Sequence, residues 1–154
     1  MEPTGLIIDV AQLGAGEVLP VKAVGPIALP EGFISGIKDA LVDVHFEGSL
    51  RRERSNFTLG RIVAEGELAG LIPVLCSLCL VETRLEVRCL IREVYLREPA
   101  DVDEWPISDN NIDLSSAFLA NILSSLPMRV LCQEDCRGLC SICGGNKNHN
   151  GCAC

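Results

Sequence analysis

The sequence predicts an α+β protein: a mostly antiparallel β-sheet or partly closed barrel, with one main helix and a C-terminal cysteine-rich module. Three observations predict it. Apolar and polar residues alternate over residues 42–50 and 81–91, the period of half-buried strands. Apolar residues return at every fourth position over residues 114–126, as on one face of a helix. Beyond Pro127 cysteines crowd the chain, which carries nine in all.

Residues 1–39 are broken by Gly14, Gly16, Gly25, Pro26, Pro30 and Gly32 and read as short strands and turns. In residues 42–50, Val42, Val44, Phe46 and Leu50 alternate with Asp43, His45, Glu47 and Ser49. His45 falls on the polar face and is given no role. Residues 57–75 are interrupted by Gly60, Gly66 and Gly70, which predicts one or two bent strands with bulges or close backbone approach. The clearest alternation sets Val81, Thr83, Leu85, Val87, Cys89 and Ile91 against Glu82, Arg84, Glu86 and Arg88. Residues 98–112 carry five acids, no Lys or Arg, and Pro99 and Pro106, and so read as a solvated loop or linker, with an acidic docking surface as the alternative. Asp113 then caps a helix whose apolar positions are Leu114, Phe118, Ile122 and Leu126, with Leu119 and Leu123 beside them, and Pro127 ends it.

Composition limits what the chain can do. A hydrophobic content of 48% suffices for a core, but with only 4% aromatics the core is aliphatic and an additional staple is expected. A net charge of -8 and a pI near 4.7 repel phosphate over most of the surface. The uncharged stretch of residues 68–81 is shorter than the roughly 20 residues of a membrane span and contains Pro73. An acid at Glu2, where a secretory signal carries Lys or Arg, predicts that the chain is not exported. It is therefore expected in a reducing compartment, where clustered cysteines hold metal more often than they form disulfides.

Cys140-Ser141-Ile142-Cys143, followed by Cys152 and Cys154, offers two close thiolate pairs, enough to complete a tetrahedron. A two-residue spacer lets both sulfurs face one ion at about 2.3 Å, and Gly144, Gly145 and Gly151 permit the tight turns around it. A second set joins Cys76-Ser77-Leu78-Cys79, lying between two strand patterns, to Cys132 and Cys136. One or two structural Zn2+ ions are the expected cofactor, and Cys89, on an apolar strand face, is expected to be buried and unliganded. An iron–sulfur cluster uses the same four thiolates. A redox CxxC normally opens a helix, whereas strand residues follow Cys79. His149 could replace one thiolate, although the surrounding asparagines suggest an ordinary polar turn. These readings divide the chain into a β-rich domain with a mid-chain CxxC hairpin (1–112) and a helix with the metal module (113–154).

No nucleotide or hydrolase fingerprint occurs, and a closed four-thiolate site leaves no open position, so no catalysis and no small-molecule substrate are expected. Arg51, Arg52, Arg54 and Arg61, with Phe57 among them, could grip RNA phosphates and stack a base; a solvated hairpin is the favoured reading.

The run from Leu126 to Gly144, through Cys132, Cys136, Cys140 and Cys143, resembles the signature of the YceD-like large ribosomal RNA subunit accumulation proteins. The resemblance continues through Asn146, Asn148, Cys152 and Cys154, and back to Cys76-Ser77-Leu78-Cys79-Leu80. Two departures stand out: Leu78 lies where the family often has Arg, and Leu119-Ala120 where it often has Arg-Glu. The resemblance implies a cytoplasmic bacterial, or an organellar, factor supporting 23S rRNA accumulation or processing and large-subunit assembly. Its partner would be pre-large-subunit rRNA, a ribosomal protein or an assembly factor. A zinc-stabilised module that binds a ribosomal protein rather than RNA is the first alternative, and a thiol oxidoreductase the second.

Overall fold

The computed structural model describes residues 5–33, 40–54, 60–149, 152 and 154. Its elements are β1 (Ile7–Asp9), β2 (Val18–Ala28), β3 (Leu41–Arg52), β4 (Ile62–Leu75), β5 (Glu82–Leu96), β6 (Glu104–Ser108), β7 (Asn111–Asp113), helix α1 (Ser115–Ser125) and a 3-10 turn at Lys147–His149. The strands form one curled, half-barrel sheet in the order β1-β7-β6-β5-β4-β3-β2. All pairings are antiparallel except β5–β6, so the sheet is mixed.

The curl follows from connectivity. β1 and β2 lie at opposite edges of the seven-stranded sheet, yet only residues 10–17 join them. Such a segment spans about 30 Å at full stretch, and a flat sheet of this width measures roughly the same. The segment is far from stretched, because Leu13 N–H donates to Val10 O at 3.2 Å and Glu17 N–H to Gly14 O at 3.0 Å. The sheet therefore has to bend to bring its edges together. Arg52 holds the closure, donating to Leu13 O (2.6 Å), Val10 O (3.0 Å) and Gly60 O (3.4 Å).

The predicted alternations are found in β3 and, from Glu82 on, in β5, where Val87 and Ile91 are buried while Glu82, Arg84, Glu86 and Arg88 are exposed; Val81, expected on the packed face, precedes β5 and is exposed. The glycine-interrupted segment is one strand, β4, over its described residues; positions 57–59 lie outside them. Its register against β3 runs without a slip, so the glycines mark close approach rather than bulges. Gly66 faces Gly48 directly, and a Cβ on Gly66 would lie 2.5 Å from Glu47 O and 2.8 Å from the Phe46 ring.

Two expectations are corrected. Residues 1–39 include not only short strands but an 11-residue strand, β2, in spite of Pro20, Gly25 and Pro26. Its position at the sheet edge explains this, since an edge strand tolerates a residue without an N–H. Nor is 98–112 wholly a loop: β6 and β7 lie within it, secured by buried Ile107 and Ile112 and by the Trp105 Nε1–Glu93 Oε2 hydrogen bond of 2.6 Å. Glu98, Asp101, Asp103 and Asp109 are exposed in the connections, and Glu104, half-buried at the start of β6, accepts the Ala100 and Asp101 amides at 2.8 and 3.1 Å.

Helix α1 begins where predicted. Asp113 Oδ1 accepts the Ser115 amide at 2.9 Å, one residue outside the flanking Leu114, which is itself helical (φ -80, ψ -13). Leu114, Phe118 and Ile122 are buried against the sheet, and Phe118 meets Phe46 with ring centroids 5.1 Å apart. Leu126 is extended, as expected before Pro127. Among the described residues no helix is long and apolar enough to cross a membrane.

The Gly48–Gly66 contact leaves no room for a side chain. Gly66→Val is expected to lower stability by about 1–3 kcal/mol in urea unfolding. Gly70→Ala, whose Cβ would meet the tips of Val44 at 3.3 Å and Ile72 at 3.5 Å, should cost less.

Candidate metal centres

Cys76 and Cys79 occupy the turn between β4 and β5. Cys76 N–H donates to Val81 O (2.9 Å) and Leu80 N–H to Cys76 O (3.0 Å), closing the turn with Leu80 in the left-handed region at φ 59. Residues beyond α1 are fastened to this turn. Ser77 N–H donates to Val130 O (2.7 Å), Val130 N–H returns to Ser77 Oγ (3.0 Å), and Leu139 N–H donates to Leu78 O (3.1 Å). Gly138 lies against Leu78 at φ +71, where a Cβ would be 3.1 Å from Leu78 O. Cys132 and Cys136 are thereby delivered to the turn. Cys76 Sγ lies 3.7 Å from Cys136 Sγ, and Cys79 Sγ 3.6 Å from Cys132 Sγ.

A second group forms one step further along. Cys140 N–H donates to Gly145 O (2.8 Å) and Gly144 N–H to Cys140 O (2.9 Å), with Gly144 at φ +71. A bridge between Leu139 and Asn146 folds the following segment back. Here Cys140 and Cys154 sulfurs are 3.9 Å apart, as are those of Cys143 and Cys152. Gly151 and Asn150 lie outside the described residues.

Within each group all four sulfurs lie within 4.8 Å of one another. A tetrahedral ion bonded to sulfur at about 2.3 Å sets neighbouring sulfurs about 3.8 Å apart, so the donor sets fit a single ion each. The groups differ in environment. Cys76, Cys79 and Cys136 are buried under Leu78, Leu131 and Leu139, whereas Cys143 and Cys154 are exposed.

Four thiols this close resist ionising together. Burial opposes charge on Cys76, but the amides of Cys79, Leu78 and Cys132 outweigh it and hold that thiol down to about 6. Cys132, desolvated and crowded by Cys79 and Cys136, is pushed up to about 12. In the exposed group the amides of Cys143 and Ile142 hold Cys140 down to about 6, while Cys154 is raised by Cys143 and Cys140. The Gly145 amide lowers Cys143 as well, so the buried group has one thiol poised to ionise and the exposed group two, each beside a raised neighbour that needs a cation to follow.

The remaining candidates lie elsewhere. Neither His149 nor Cys89 belongs to either group; His149 is exposed, and Cys89 is half-buried rather than fully buried, its thiol raised by desolvation. The CxxC at Cys76 opens a strand, not a helix, so it lacks the helix N-terminus that a redox CxxC uses. The basic stretch is engaged within the chain. Arg52 binds carbonyls, Arg54 donates to Ala15 O (3.4 Å), Arg61 pairs with Glu53, and Arg51 lies 3.8 Å from Glu53 and 3.9 Å from Glu65. Phe57 lies outside the described residues. The carbonyl-binding role of Arg52 has no sequence signature, because its acceptors are backbone atoms and two of the three, Leu13 O and Val10 O, lie 39 and 42 positions away.

A family model described as large ribosomal RNA subunit accumulation protein YceD matches residues 64–154, more than half of the chain and all eight clustered cysteines. No curated protein and no solved structure matches.

The arginines separate by experiment. Arg52→Ala, which removes the side-chain donor from Leu13 O, Val10 O and Gly60 O, should cost about 1–3 kcal/mol in denaturant unfolding. Arg51→Ala, whose ion pairs are solvent-exposed, should change stability by less than about 1 kcal/mol.

Proposed function

Because this chain belongs to the YceD family of large ribosomal RNA subunit accumulation proteins, with a role in accumulation of that rRNA, we propose that it is a non-catalytic, zinc-stabilised assembly factor. It acts on 23S rRNA accumulation or processing in the bacterial cytoplasm. Cys76, Cys79, Cys132 and Cys136 hold one structural Zn2+, and Cys140, Cys143, Cys152 and Cys154 a second. The β-rich part (1–112) and the helix with its cysteine module (113–154) then meet at the first ion.

The observation that carries the metal reading is the sulfur spacing, 3.6 to 3.9 Å, against about 3.8 Å for a tetrahedral site. A polynuclear iron–sulfur cluster places several irons and sulfides between its thiolates, and this spacing leaves no space for them. When bound, the ion supplies charge neutralisation and a cross-link between distant segments. With four protein ligands it has no open position for water or substrate, which supports a structural rather than a catalytic role.

The partner is more readily a ribosomal protein or assembly factor than bare RNA. Two arginines of β5 already have carboxylates: Arg88 with Glu86 (2.7 Å) and Glu67 (3.2 Å), and Arg92 with Glu65 (2.8 Å). Each four-thiolate zinc centre adds a further -2 to a chain that is already at -8.

Loss of the gene is expected to lower mature large-subunit rRNA and free large subunits on sucrose gradients; unchanged profiles would reject the role. Association with precursor particles should survive RNase and high salt if the contact is with protein, and should vanish if it is with RNA. Protein purified without added metal is expected to carry two zinc ions per chain by mass spectrometry. Cys76→Ser should remove one with loss of the cooperative unfolding transition, and Cys154→Ser the other with the sheet still folded.

A further inference from the structure

Asn148 belongs by sequence to the exposed cysteine group, since its turn lies between Cys143 and Cys152. Its side chain serves the buried group instead. Asn148 Oδ1 accepts the Arg137 amide at 2.8 Å, and because a backbone N–H can only donate, the carboxamide orientation is settled. The amide nitrogen therefore faces the other way, 3.4 Å from Cys136 Sγ and 2.9 Å from Asn146 Oδ1. Asn146 Oδ1 also accepts the Asn148 backbone N–H at 2.9 Å, so the side chain is braced from both ends.

We propose that Asn148 couples the two centres, as a positioning residue that the loop of the exposed centre supplies to the buried one. This rests on the reading of both groups as metal centres. Four thiolates around a divalent ion leave an excess charge of -2, and an N–H donor aimed at one sulfur spreads that excess. Partners of this kind typically change metal affinity by 10–100-fold. An ion shared by Cys143 and Cys152 pins both ends of the turn that carries Asn148. Filling the exposed centre therefore lowers the entropic cost of presenting the donor to Cys136. Coupling of this kind is reciprocal, so the buried ion also favours binding at the exposed centre.

The order of release follows from exposure. Cys143 and Cys154 are open to solvent, whereas three of the four buried-centre cysteines are not, so a chelator reaches the exposed ion first. Removal of that ion frees the turn, and the buried ion is then held less tightly.

The test uses the full chain loaded with two Co2+ ions, followed by the sulfur-to-cobalt charge-transfer absorption during competition with a chelator. Wild type should lose cobalt in a fast and a slow phase. Asn148→Ala and the isosteric Asn148→Asp, which keeps the acceptor for Arg137 but loses the donor, should each speed the slow phase about 10-fold or more. Both should also move its charge-transfer band to lower energy. Cys154→Ser, which dismantles the exposed centre, should speed the same phase. A merely structural role for the turn predicts that the charge-transfer band keeps its wild-type energy in both variants even where the slow phase changes, and that result would overturn the proposal. An unmoved slow phase and band in a wild type that holds two ions would overturn the coupling alone. A wild type that takes up no sulfur-bound cobalt would overturn the metal reading and the coupling with it.

Discussion

The arrangement depends on the convergence of Cys76 and Cys79 with Cys132 and Cys136, pairs that are 60 and 53 residues apart in sequence. Closing a loop of that length costs about 3–4 kcal/mol in chain entropy beyond a fixed constant. Charge repulsion among thiolates in contact opposes the arrangement further. Structural zinc ions contribute about 10–16 kcal/mol in small domains, so an ion of the kind proposed for this site would outweigh both. The hydrogen bonds between Ser77 and Val130, and between Leu139 and Leu78, align the two segments, but at about 1 kcal/mol each they do not suffice alone.

The sheet provides the rigid support for this junction. Its longest register joins β4 to β5 without interruption from Ile62–Tyr95 to Leu75–Glu82, so the cysteine turn sits at the end of a stiff hairpin. At the opposite end of that hairpin, Arg52 ties the crossover between the sheet edges. Helix α1 fills the curled face with Phe118 against Phe46, and its termination at Pro127 directs the chain toward the turn. With few aromatics in the core, a large share of the packing falls on aliphatic residues, and a cross-link outside the core has correspondingly greater effect.

Much of this was legible in the sequence, for local reasons. The alternation over residues 81–91 and the Asp113 cap are patterns written within a few residues of themselves, and both appear in the structure. The pairing of Cys76 and Cys79 with Cys132 and Cys136 was legible because the cysteines are spaced in close pairs and eight of them divide into two fours. What escaped notice depends on distant partners. β2 was obscured because its prolines are tolerated only at an edge, and strand order is not a local property. β6 and β7 were hidden by acids and prolines, and their pairing with β5 and β1 is decided by buried Ile107 and Ile112. Asn148 looked like one asparagine in a polar turn; only the folded chain sets it against Cys136.

A chain of this design has two kinds of cysteine site: a shielded one that joins the sheet to the tail, and an open one at the tail's own end. X-ray absorption at the metal edge of protein purified without added metal reads the ligand shell of these sites directly. Two four-thiolate centres require a zinc edge with four sulfur neighbours at about 2.3 Å and no metal–metal shell. A first shell of nitrogen or oxygen, or an iron edge with a short iron–iron distance, is incompatible with them.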